Sequence, residues 1–138
     1  MFKRLKNENT RLKSESFKHV RYYSMLIHWL EIRQENRSLV EYFEKNGYKK
    51  VAIYGMKEFG ERLFDELKGT SVEVAYTIDR NADEIYCEVP VRKPNDNLDK
   101  VDAMIVTAVI SYDSIKEDLS KKVDCPIINL EDIVFGVH

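Results

Sequence analysis

At 138 residues, with 43% hydrophobic and 33% charged side chains, the chain has room for one sizeable core and a modest extension, in the range of ordinary soluble domains. Its formal net charge of −2 divides unevenly: residues 1–50 carry 12 Lys/Arg against 6 Asp/Glu, residues 51–138 carry 10 against 18. An acidic body excludes nucleic acid as its partner, because phosphate contacts need a basic surface, and no apolar run approaches the length of a transmembrane helix.

The first segment, "MFKRLKNENT", is basic and has no apolar stretch of signal-peptide type, so a cytoplasmic protein is expected. Residues 1–14 read as a polar, frayed end, with contact between this basic segment and a membrane surface or an acidic partner as the alternative. From about Ser16, Phe17, Val20, Tyr23, Ile27 and Leu30 recur at helical spacing, and Tyr22, Met25, Leu26 and Trp29 widen the stripe. The expectation is a helix near 16–35 that buries much of its surface on its own domain, on a second copy or on a partner protein. Ser38 and Glu41 stand at capping-box spacing before a helix over about 39–46, and Gly47 stands where a left-handed C-cap is wanted.

Strand and helix then alternate. "VAIY" is a short apolar strand, and Phe59, Leu63, Phe64 and Leu67 form one helix face. "VEVAYTI" is a second strand, "VPVRKP" a short extended piece and "DAMIVTAV" a third full strand. "YDSIKEDLSKK" is a helix with Ile115 and Leu119 inward, "CPIINL" a last strand, and "EDIVF" one final turn. Continuous apolar strands separated by helices predict an α/β fold: a doubly wound, mainly parallel Rossmann-like sheet at 48–138, preceded by a helical extension at 1–47.

In such sheets ligands bind beyond the carboxyl ends of the strands, and three ends attract attention. Gly55 and Gly60 match the first and third glycines of the dinucleotide fingerprint, and Lys57 replaces the second, where backbone meets pyrophosphate. The segment Gly55, Met56, Lys57, Glu58, Phe59, Gly60 therefore keeps the turn and changes the ligand contact. Lys57 either closes the approach or offers a cation beside the helix start. Asp79, 19 residues after Gly60, stands where an acid binds ribose hydroxyls or, equally, caps its own turn, with Arg80 and Asn81 at the rim. Thr107, Ala108 and Val109 end the central strand. Tyr112 and Lys116 have the spacing of a dehydrogenase Tyr/Lys pair, but Ser111 or Asp113 as a helix N-cap is the better reading. His19, His28 and His138 have no ligand or nucleophile neighbours in sequence, Cys87 and Cys125 stand alone, and no metal site or acid/base pair is expected.

Taken in order, "IYGMKEFGERLFDEL", "YTIDRN", "VPV" and "DAMIVTAV" resemble the small Rossmann-like domain of bacterial surface-polysaccharide biosynthesis proteins. Similar domains open hexapeptide-repeat sugar O-acyltransferases and occur in nucleotide-sugar dehydratases and glycosyltransferase-associated proteins. "WLEIRQENRSLVEYFEKNGYKKVAIYG" is similar to the helical lead-in of such proteins. The resemblance covers residues 48–135 and implies a nucleotide or nucleotide-sugar held by Gly55–Gly60, Asp79 and Thr107–Val109. Lys57 replaces the family's middle glycine, and Arg80 the second acid of its I-D-D-N segment. The main expectation is thus a non-catalytic binding module. The alternatives are an interaction scaffold that homo-oligomerises or docks through the N-terminal helix, and a fragment of an NAD(P)-dependent oxidoreductase.

Overall fold

A computed structural model describes residues 2–138, with side chains described from residue 7 onward. Ten regular elements follow in order: helices α1 (Phe2–Gln34) and α2 (Val40–Asn46), strand β1 (Lys50–Tyr54), α3 (Glu58–Leu67), β2 (Glu73–Ile78), β3 (Val91–Arg92), β4 (Ala103–Val106), α4 (Tyr112–Leu119), β5 (Ile127–Asn129) and α5 (Leu130–Gly136). The strands form one parallel sheet in the order β3-β2-β1-β4-β5. The chain starts in the middle, winds outward through β2 and β3, then returns to build β4 and β5 on the other side. This is the doubly wound α/β arrangement expected from the sequence, and its direction of winding reverses between β1 and β4.

Alternate residues of β1 explain why both faces are covered. Val51 and Ile53 join a core with Leu63 and Leu67 of α3, Leu130 and Ile133 of α5, and Met25, Trp29, Leu39 and Phe43 of the first two helices. Ala52 and Tyr54 point the other way, into a smaller cluster with Tyr76, Met104, Ile115 and Leu119. A strand buried on both sides cannot alternate apolar with polar residues, hence the unbroken run in its sequence. The β2–β3 connection departs from the helix-per-crossover pattern, with only a single 3-10 turn at Ala82–Glu84.

The N-terminal helix is longer than the periodicity predicts. Instead of a frayed end before residue 16, α1 is helical from Phe2. No glycine or proline occurs before Gly47, so nothing terminates the helix once its packed part has formed. That packed part is tied down at two ends. Arg21 forks onto Glu131 of α5 at 2.8 and 3.2 Å, and His28 Nε2 donates to the Val137 carbonyl at 3.1 Å while its ring stacks on Phe135. His28 is structural, as expected. On the other side the carboxylate of Glu66, in α3, accepts from Trp29 Nε1 (2.9 Å), Ser38 Oγ (3.2 Å) and the Leu39 N–H (2.8 Å), with Arg33 Nε at 3.4 Å. One nearly buried acid thus joins α1, the start of α2 and α3. Gly47 closes α2 at φ 72°, as its position predicts. No described helix is long and apolar enough to cross a membrane.

Candidate functional site

The reversal between β1 and β4 opens a crevice of about 930 Å³ beyond the carboxyl ends of β1, β2 and β4. Nine of the residues expected from sequence line it: Gly55, Lys57, Glu58, Phe59, Asp79, Arg80, Asn81, Thr107 and Ala108. The other three do not. Met56 turns its side chain into the core, Gly60 is buried under the turn, and Val109, 2% exposed, begins a 3-10 turn and offers its carbonyl to Asn129 Nδ2. Gly60 keeps the close-packing role of the third fingerprint glycine, whereas Met56 and Val109 are held away from the crevice by packing that their place in the motif does not reveal.

The glycine turn has two steric requirements. Gly55 leaves β1 at φ 96°, a left-handed conformation, and a Cβ there would meet Thr107 Oγ1 at 2.6 Å. A Cβ on Gly60 would collide with the Gly55 carbonyl oxygen and lie 2.9 Å from its carbonyl carbon. The two glycines therefore let the first turn of α3 pack directly on the end of β1. Thr107 secures the same point from β4: its backbone N–H donates to the Tyr54 carbonyl at 3.0 Å, and its hydroxyl lies 2.7 Å from the Gly55 carbonyl.

Asp79 has a different part from the one the dinucleotide fingerprint suggests. Its Oδ2 accepts the Met56 N–H at 2.8 Å and its Oδ1 the Asn81 N–H at 2.9 Å, with the residue 6% exposed. The second bond is the turn cap, one of the two roles that the sequence allows Asp79. The first spans 23 residues and clamps the glycine turn to the end of β2. Each oxygen thus has a backbone donor, leaving only residual acceptor capacity toward the crevice.

Donors remain at the start of α3. The first backbone bond of its ladder runs from Glu61 N–H to the Lys57 carbonyl, so the N–H groups of Glu58, Phe59 and Gly60 precede the ladder. No side chain caps them. Among the described residues Lys57 and Arg80 have no ion-pair partner, and both are exposed at the crevice mouth. Glu58, Glu61 and Asp79 share that lining, so the local charge is mixed. Among the described residues no group of three or more His, Cys, Asp or Glu could hold a metal ion.

Sequence reasoning missed part of the wall. Tyr22 reaches the crevice from α1, its ring 5.3 Å from that of Phe59, and Tyr54 and Glu61 lie along the same rim. Ser111, Ser114 and Ile115 enter from the first turns after β4. The last three are foreseeable from a helix that directly follows a central strand; Tyr22 is not, since nothing local shows where a lead-in helix will dock. Ser111 does occupy the N-cap position of α4, but its hydroxyl makes no cap bond. The Tyr112 hydroxyl donates to the Ile127 carbonyl on β5 at 2.6 Å, and the residue does not line the crevice. The Tyr/Lys pair is therefore turned away from the site. Comparison of the chain with family models, with curated proteins and with solved structures yields no match.

Proposed function

We propose that the chain is a non-catalytic binding module for a nucleotide or nucleotide-sugar, in the surface-polysaccharide setting of the domains that its motifs resemble. The supporting observation is the crevice at the β1/β4 reversal, whose lining combines the uncapped start of α3 with two unpaired cations, Lys57 and Arg80, beside Glu58 and Glu61. A helix start of this kind is a ready anion site, and the volume is that of ordinary small-molecule pockets. Lys57 then replaces a backbone approach with a side-chain contact to phosphate. Tyr22 and Phe59 supply an aromatic corner for the flat part of the ligand. Asp79 holds the loop, so recognition of a ribose falls to other groups on the rim, such as Asn81, Ser111 and Ser114. The oxidoreductase alternative loses its Tyr/Lys pair, because Tyr112 is committed to β5.

A thermal-shift panel of UDP, UDP-sugars, CDP and GDP compounds, NAD, NADP and coenzyme A tests this reading. A ligand at about 100 times its dissociation constant adds roughly 2.7 kcal/mol. For this chain length that raises the midpoint by about 9 °C. Lys57→Ala and Arg80→Ala, both exposed, should reduce the shift and leave the unliganded midpoint in place. A folded sample that responds to none of these compounds refutes the proposal.

A further inference from the structure

Helix α1 has two apolar faces. Met25, Trp29 and Ile32 enter the domain core, whereas Leu12, Val20, Tyr23, Leu26, Ile27 and Leu30 lie on the opposite side and are 38–68% exposed. At 100° per residue the outer stripe centres well over a quarter-turn from the buried one. The exposed stripe amounts to roughly 550 Å² per chain, at the top of the roughly 300–600 Å² of the largest patch on a typical monomer, so flanking polar residues must complete the about 800 Å² that each partner contributes to a standard interface.

We propose that this stripe pairs with the same stripe of a second copy, in parallel and in register. The stripe contains a heptad seam: Asn9, Ser16, Tyr23 and Leu30 fall at a positions, and Leu12, His19 and Leu26 at d positions. Glu8 and Glu15 then occupy g positions on one edge, and Lys13 an e position on the other. Among the described residues all three are exposed and without an ion pair. In a parallel pair each g residue faces the e residue five places on in its neighbour, which sets Glu8 against the partner's Lys13 twice over by symmetry. An antiparallel pair over the same stripe brings g against g and e against e, so Glu8 and Lys13 do not meet.

A lipid surface fits less well, because Glu8 and Glu15 would lie where anionic headgroups approach. The core residues Met25 and Ile32 fall at c positions, whereas Tyr22 and Trp29 fall at g positions and pack on their own domain, so each domain flanks one edge of the seam over residues 22–30. Asn9, Ser16 and His19 make the seam partly polar, which lowers affinity and specifies register. Nothing in this pairing depends on what the crevice binds.

Sedimentation equilibrium on the full chain over micromolar to several hundred micromolar concentrations tests the pairing. The expected mass rises toward twice 16.3 kDa, and Tyr23→Glu/Leu30→Glu, at two exposed positions, holds it at 16.3 kDa with an unchanged circular dichroism spectrum and melting point. Orientation is read from Ser16→Cys in a Cys87→Ser/Cys125→Ser background, which should form a disulfide-linked pair under mild oxidation. Glu8→Lys should weaken association about threefold to tenfold, and adding Lys13→Glu should restore it. A wild-type chain that stays at 16.3 kDa throughout overturns the proposal, as does a dimer indifferent to Tyr23→Glu/Leu30→Glu. A dimer that Ser16→Cys fails to cross-link overturns the parallel arrangement.

Discussion

Replacing Asp79 by alanine is expected to damage the fold before it affects any ligand. The carboxylate takes two backbone N–H groups, from Met56 at 2.8 Å and Asn81 at 2.9 Å. Hydrogen bonds to a charged group contribute roughly 1.5–3 kcal/mol each, and a buried donor left without an acceptor retains its full desolvation penalty. The Met56 N–H is the buried one, on a residue that is 5% exposed, whereas the Asn81 N–H lies nearer water and can be rehydrated. The first bond therefore dominates, and Asp79→Ala should cost about 2–4 kcal/mol. For 138 residues that lowers the thermal midpoint by about 7–14 °C. Asp79→Asn, which keeps one acceptor oxygen and places an amide against the second N–H, should fall between the two. Differential scanning calorimetry on the three ligand-free proteins measures this directly. An alanine variant that melts within about 2 °C of wild type would show that the carboxylate does not hold the glycine turn, and would return Asp79 to the role of a ligand contact.

Two further expectations rest on single residues. Gly60→Ala gains about 1 kcal/mol of helix propensity, but its methyl group meets the Gly55 carbonyl, which is itself pinned by Thr107; overpacking of about 3 kcal/mol leaves a net loss near 2 kcal/mol, read as a lower urea midpoint at unchanged slope, and a stabilised variant would contradict the close contact. Tyr76, 2% exposed, donates its hydroxyl to the Asp99 carbonyl at 2.6 Å, and burial pushes its phenol from the ordinary 10 up to about 12. Because the folded value lies above the unfolded one, the stability that Tyr76 contributes is complete below pH 10 and is lost as the pH rises toward 12. Near-ultraviolet titration should show a late tyrosine step that Tyr76→Phe removes; an unchanged curve in that variant would refute the assignment.

The strands were legible because a sheet covered on both faces makes its central strands predominantly apolar, and "VAIY" and "AMIV" show this without any partner in view. The glycine turn was legible for a similar reason. The steric demands at Gly55 and Gly60 come from backbone only a few residues away, so their spacing survives in the sequence even where Lys57 has altered the surroundings. The end of α2 at Gly47 belongs to the same class of local rule.

Residues whose partners are distant in sequence could not be read in this way. Asp79 offers the same two oxygens whether it faces a ribose or the Met56 N–H, and only the approach of β1 to β2 decides between them. Glu66 carries no local signal of its role, and accepts from Trp29, Ser38 and Leu39 because two helices converge on it. Tyr22 joins the crevice only once Arg21 and His28 have fastened α1 to α5. The apolar periodicity of α1 was plain in the sequence, but a wide stripe does not say which part of it faces inward. Periodicity, turns and glycine spacing are local constraints that the sequence by itself determined. The choice of buried face, the role of each carboxylate and the outward-facing side of α1 are outcomes of contacts between distant segments, and these only the tertiary structure decided.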